Sequence, residues 1–283
     1  MLKMKYYEDF LKLEVFSLEE AQKVVGSIGN AKVLLNSYVK KGLVKRVRRN
    51  LYCAVNLEHR DAATNRYIIG SKINKSAYLT YNSAFDVHGL SHQVNFVVYV
   101  ASASKISDFE FEGVLYKYVG KGIDEGVTFH RSNEKIKLTD IERTVVDSID
   151  RTDYCGGSHE LDEILKICPV LDNAKLLKYL EAHNKKVLYK KVGYFLERHQ
   201  QSLGITNELL SLLEKRTGNM KKYLSEEARS DGVLIKRWGL IVPESFEEHP
   251  IELSPEELEE LKKTRQEIAK GRFITLEDLE REL

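Results

Sequence analysis

The chain has 283 residues, of which 42% are hydrophobic and 31% charged, with a formal net charge of +1. This is a globular composition, able to bury a sizeable core and, at about 100–200 residues per domain, to form about two domains. Cys53, Cys155 and Cys168 are scattered, odd in number and form no Cys-x-x-Cys pair, so no disulfide framework or thiolate zinc site is expected, and the N-terminal stretch MLKMKYYEDFLKLEVF lacks the continuous apolar core of a signal peptide. No run approaches the roughly 18 apolar residues of a membrane helix, so the expectation is a cytoplasmic protein without membrane contact.

In chain order, an amphipathic helix is predicted over 3–14. Ser17-Leu-Glu-Glu20 is a capping box, in which the Ser17 hydroxyl meets a first-turn amide and Glu20 reaches back. It opens a second helix that ends near Gly26. Asn30 is predicted to cap a third helix ending near Gly42, with Leu34, Leu35, Tyr38 and Val39 as its buried stripe. Residues 43–55, LVKRVRRNLYCAV, form a predicted hairpin turning at Arg49-Asn50. Helix, helix, turn, helix, hairpin is the order of a winged helix-turn-helix, placed at residues 1–57.

From residue 58 to 250 the pattern becomes mixed. Helices are predicted over 60–74 and 81–88, then a strand over 94–101 that is apolar enough to be buried on both faces. Weaker strands follow at 109–119 and 126–130. Thr139-x-x-Glu142 caps a helix to Asp150, and further helices cover 159–167, 173–182, 187–201, 206–215 and 221–224. A last strand pair falls at 232–242. Residues 251–283 are expected to form a separate acidic, helical segment, opened by Ser254-Pro255-Glu256-Glu257. The predicted class is α+β.

Residues 21–50 contain eight basic residues (Lys23, Lys32, Lys40, Lys41, Lys45, Arg46, Arg48, Arg49) and no Asp or Glu, in a chain of net charge +1. Such a cluster can neutralise phosphates and draw binding energy from counterion release. The third helix is expected in the major groove of duplex DNA, presenting Lys32, Asn36, Ser37 and Lys40, with Asn30 and Lys41 as further expected DNA-binding residues. Arg46, Arg48 and Arg49 of the wing are expected at the backbone or minor groove, and Lys45 is also an expected DNA-binding residue.

Other features point away from catalysis. His88 and His92 have metal-like spacing but no third ligand, so a structural role is expected. Arg143 and Asp147, four apart on one helix, suit a salt bridge, while Asp140 and Glu142 suit capping and the helix dipole. Gly120-Lys-Gly122 and Gly156-Gly157 lack phosphate-loop spacing, and no cofactor is expected. Trp238 is expected as a core anchor. An enzyme stays open as the alternative, a winged-helix protein with a nuclease-like C-terminal domain acting on nucleic acid.

Several stretches in order resemble one family: the short winged helix ending in RRNLYCAV, then YLTYNSAFDVHGL, VNFVVYVA, IERTVVDSID and RWGLIVPESF. With them the chain resembles the AbiEi antitoxins, the transcriptional-regulator half of abortive-infection (type IV) toxin–antitoxin systems. The resemblance implies a winged helix that represses its own operon at inverted repeats, and a C-terminal domain needed to neutralise a nucleotidyltransferase-like toxin. Residues 251–283 depart from that family. They are similar to the tails of small antitoxins that wrap RelE- or ParE-like toxins.

From Glu244 to Leu283 there are thirteen acidic and six basic residues. Leu258, Leu261 and Ile268, then Leu276 and Leu279, recur at helical spacing on either side of Phe273 and Ile274. They are the expected toxin-binding residues, with packing on the protein's own body as the competing reading.

Overall fold

The computed structural model describes residues 5–58, 60–91 and 95–246. Its N-terminal unit runs α1 (Tyr7–Leu13), β1 (Val15–Ser17), α2 (Leu18–Val25), α3 (Ile28–Lys40), β2 (Val44–Arg48) and β3 (Leu51–Ala54). The strands form an antiparallel sheet in the order β1-β3-β2. Strand alternation gives this sheet two apolar faces. Phe16, Val44 and Ala54 face the helices and pack with Phe10, Ala31, Leu35 and Tyr38, and the rings of Phe10 and Phe16 stack 4.6 Å apart. Val15, Val47, Leu51 and Cys53 face the other way, into the rest of the protein.

There they meet a six-stranded mixed sheet. Its elements are α4 (Arg66–Ser71), β4 (Tyr78–Leu79), α5 (Asn82–Val87), β5 (Val97–Ala101), β6 (Phe109–Phe111), β7 (Val114–Tyr118), β8 (Val127–His130) and β9 (Asn133–Thr139). The strand order is β6-β7-β5-β4-β9-β8, with β7–β5 and β4–β9 parallel and the other neighbours antiparallel. Leu79, Val98, Val100, Tyr116 and Leu138 of this sheet, with Ile68 and Ile69 of α4, share one core with the N-terminal sheet. Polar contacts hold the seam: Lys72 Nζ donates to the Val15 carbonyl at 2.9 Å, and Lys135 Nζ to the Lys12 carbonyl at 2.9 Å and to Glu14 Oε1 at 2.5 Å. Residues beyond 58 therefore carry an apolar face that the N-terminal unit covers, and one core runs across the expected boundary at 57/58.

Helix α6 (Ile141–Asp150) starts a helical layer with a core of its own. It continues through a 3-10 turn (Thr152–Cys155), α7 (Ser158–Ile167), α8 (Asn173–His183), α9 (Lys186–Arg198) and α10 (Asn207–Arg216). A small sheet closes the described chain. It is formed by β10 (Lys222–Tyr223), β11 (Gly232–Ile235) after the short α11 (Ala228–Asp231), and β12 (Leu240–Pro243), in the order β10-β12-β11. Trp238 is fully buried, as expected of a core anchor. Its Nε1 donates to Glu197 Oε2 at 2.6 Å, and its ring fills the space where a Cβ on Gly193 would stand 2.1 Å away. The class is α+β.

Several expectations need correction. Helix α3 begins after Ser27, not Asn30, because Ser27 is extended and its carbonyl accepts the Ala31 amide at 2.9 Å; Asn30 lies in the first turn. The helix expected over 60–74 spans only Arg66–Ser71, starting at Asn65, whose side chain accepts from the Tyr67 and Ile68 amides. Asp140, not Thr139, caps α6, because Thr139 is still paired in β9. Residues 222–223 form a strand where a helix was expected, since Lys222 and Tyr223 pair with Leu240 and Ile241. Strand β5 is buried on the Val98–Val100 face and half-buried at Val97 and Tyr99 on the other.

Candidate nucleic-acid interface

Two helices and a turn position the basic residues. The Ser17–Glu20 capping box is present, with Glu20 N donating to Ser17 Oγ at 3.1 Å and Ser17 N to Glu20 Oε2 at 2.7 Å. Helix α2 ends at Gly26 in the left-handed region, φ +90°. Helix α3 then buries Ala31, Leu35 and Tyr38 against the N-terminal core. At 100° per residue, the opposite side carries Gly29, Val33, Asn36 and Lys40, all exposed, with the exposed Lys32 at its flank, and Val33 is 72% exposed. Asn30 is exposed beside this stripe and Ser37 half-buried at its edge. Ser27 makes no side-chain cap, so first-turn amides of α3 lack the partner that a capping serine normally supplies.

The hairpin divides its four basic residues by face. Arg46 and Arg49 are exposed, and Asn50 takes a left-handed φ of +62° at the turn. Lys45 instead pairs with Glu112 in the β6–β7 turn, and the Arg48 guanidinium lies 5.0 Å from the centre of the Phe109 ring. Both therefore face the six-stranded sheet, whereas both were expected among the DNA-binding residues. Lys40 and Lys41 stay exposed at the end of α3. The structure thus gathers Lys32, Asn36, Lys40, Lys41, Arg46 and Arg49 as exposed groups around α3 and the hairpin turn. It adds Val33, which charge-based reasoning passes over.

The acidic residues of α6 are engaged. Arg143 and Asp147 are both buried. Arg143 Nε donates to Asp147 Oδ2 at 2.7 Å, and Arg143 Nη1 to the carbonyls of Ile123 and Glu125 at 3.1 and 2.5 Å. His183 Nε2 meets the other Asp147 oxygen at 2.8 Å. The loop wraps the guanidinium so closely that a Cβ on Gly122 would stand 2.3 Å from Nη2. Lys175 Nζ bridges Asp140 at 3.3 Å and Glu142 at 3.1 Å, and the Tyr179 hydroxyl donates to Asp140 at 2.6 Å. His88 donates from Nε2 to the Thr139 carbonyl at 2.9 Å, and burial pushes its pKa down. His92 lies outside the described residues, among which no group of three His, Cys, Asp or Glu side chains is placed to hold a metal.

All three cysteines are buried as free thiols, and burial pushes the pKa of each up to about 12. The expected toxin-binding residues Leu258, Leu261, Ile268, Phe273, Ile274, Leu276 and Leu279 lie outside the described residues. Among the described residues no helix is long and apolar enough to cross a membrane.

No protein-family model matches the chain, and no curated protein gives a significant match. Among solved structures, the chain is similar to the crystal structure of the RV2827C protein from Mycobacterium tuberculosis, with a TM-score of 0.57 at 10% sequence identity, over 84% of this chain and 90% of that one. At that identity the likeness is one of fold.

Proposed function

We propose that this protein is a DNA-binding transcriptional regulator whose N-terminal unit is a winged helix-turn-helix, and that it acts as the antitoxin of a toxin–antitoxin pair. The observation that carries DNA binding is the acid-free stretch 21–50, whose exposed cations flank one face of α3 and the hairpin turn. In this reading α3 enters the major groove. Asn36 reads an adenine edge, Val33 meets a thymine methyl, and Lys32 and Lys40 reach guanines or nearby phosphates. Arg46, Arg49 and Lys41 neutralise backbone phosphates, and the uncapped start of α3 offers amides to another. The unit order α1-β1-α2-α3-β2-β3 supports the winged-helix assignment.

The antitoxin half rests on the resemblance of the motifs from RRNLYCAV to RWGLIVPESF to the AbiEi antitoxins. It implies a cytoplasmic repressor of its own operon at inverted repeats. Its partner is a nucleotidyltransferase-like toxin or, from the resemblance of residues 251–283, a RelE- or ParE-like one. The burial of Asp147, paired with the buried Arg143, favours this reading over a nuclease built on that carboxylate.

Titration of duplex DNA from upstream of the protein's own gene, at several salt concentrations, tests the first half. R46Q/R49Q should flatten the slope of log K against log salt by about 0.9 for each phosphate no longer neutralised. The same slope and affinity in that variant would remove the hairpin turn from the interface. Co-expression with the product of the neighbouring reading frame tests the second half: restored growth supports it, and undiminished toxicity rejects it.

A further inference from the structure

On the side of the molecule built from α9, β10 and the 217–220 turn there is a cavity of about 210 Å³. Three of its lining residues are Lys186, Lys190 and Lys222, and none is acidic. Lys190 is the unusual one. It is 3% exposed, in the second turn of α9, and its ammonium donates to the carbonyls of Gly218 at 2.8 Å and Trp238 at 3.0 Å. Among the described residues no carboxylate pairs with it. Two carbonyl dipoles orient an ammonium but leave its charge uncompensated, and a buried, unpaired charge is costly. The chain nonetheless keeps room for it: Gly239 sits at φ +56°, and a Cβ there would stand 3.0 Å from Lys190 Nζ.

The start of α9 adds more positive potential at the same place. Its N-cap is Lys185, which makes no side-chain cap, and its first turn holds no acidic residue. Lys185 is paired with Asp150 at 2.5 Å, but neither Lys186 nor Lys222 has an ion pair among the described residues. Lysines at a helix N-terminus oppose the helix dipole, so the local sequence is unfavourable on its own. Lys186 and Val187, the first two residues of α9, both line the cavity. A helix N-terminus, two unpaired lysines and a buried ammonium therefore converge on one space. An anion in that space would turn each of these costs into a favourable contact.

We propose that this cavity binds the terminal phosphate of a small phosphorylated ligand, a phosphomonoester or diphosphate, at a site separate from the DNA-binding face. The cavity falls below the roughly 300 Å³ of an ordinary small-molecule pocket, so it takes the phosphoryl end and leaves the rest of the ligand at its mouth. Lys190 is the buried contact, Lys186 and Lys222 the rim contacts, and the α9 amides the backbone donors.

Calorimetry on the full chain, with inorganic pyrophosphate and with ATP at matched ionic strength, tests this. Saturable binding is expected. The exposed rim variant K186Q/K222Q, chosen because neither side chain holds the core, should weaken it at least about tenfold, equivalent to about 1.4 kcal/mol. K190M should weaken it at least as much. R46Q/R49Q should leave it unchanged. Absence of saturable binding by either probe overturns the proposal, as does binding that K186Q/K222Q leaves intact or R46Q/R49Q abolishes. A 5′-hydroxyl oligonucleotide serves as the polymer control. If it alone binds, and depends on Lys186 and Lys222, the surface tracks a nucleic-acid backbone and the small-ligand site is wrong.

Discussion

Residues 28–49 and helix α6 are both rich in charge and use it in opposite ways. On α3 and the hairpin turn, Lys32, Lys40, Lys41, Arg46 and Arg49 stand exposed with no acidic residue in the surrounding stretch. On α6, Arg143 and Asp147 are buried, and they are held by each other, by His183 and by two loop carbonyls. A charged residue is informative about partners only when nothing in its own chain already answers it. Exposed and unanswered cations cost little to keep in water and are available to phosphate. Buried and answered ones position a loop.

The largest effect that distinguishes the two regions should come from α6. D147N leaves Arg143 buried without its counter-charge and should lower the unfolding free energy by about 3–5 kcal/mol, as urea denaturation would measure. A decrease under about 1 kcal/mol would place α6 in the same class as a solvated surface. A smaller effect, of another kind, is expected on α3. N36A should leave the urea midpoint where it is and reduce discrimination between operator and mismatched duplex by about 1–3 kcal/mol. Equal weakening on all sequences would instead make Asn36 a phosphate contact. The smallest effect tests the seam. Lys45 and Glu112 form an ion pair at a half-exposed position, so K45A should cost about 0–1 kcal/mol of stability and leave the salt slope of DNA binding unchanged. A slope flattened as much as in R46Q/R49Q would show that Lys45 leaves Glu112 for DNA.

The exposed half of the site is legible in the sequence, because the helical period of α3 separates Lys32, Asn36 and Lys40 from Ala31, Leu35 and Tyr38. So are the features with local causes: the capping box at Ser17, the stop at Gly26, the turn at Arg49-Asn50, and helices α7 to α10. The engagement of Lys45 is not legible, since Glu112 lies 67 residues further on. Strand β1 escapes for a similar reason. Three residues between two helices carry no period of their own, and Val15–Ser17 is a strand only because β3 pairs with it. Strand β9, NEKIKLT, shows its alternation only at Ile136 and Leu138, two apolar positions among seven, too few to stand out as a strand. The start of α3 reads three residues late in the sequence because Ile28-Gly29 resembles a turn, and helix packing overrides that local preference.

The shared core beneath β1, β2 and β3 has a mechanical consequence. Val15, Val47, Leu51 and Cys53 lock the N-terminal unit against the six-stranded sheet, so its helices do not swing on a tether. A swinging reader must give up orientational freedom each time it engages a partner, while a fixed one has given up that freedom already, during folding. The bearing of α3 is thus a property of the whole body, set by the same side chains that keep Cys53 dry. Two copies held together would then present their α3 helices like the teeth of a gauge, at one spacing.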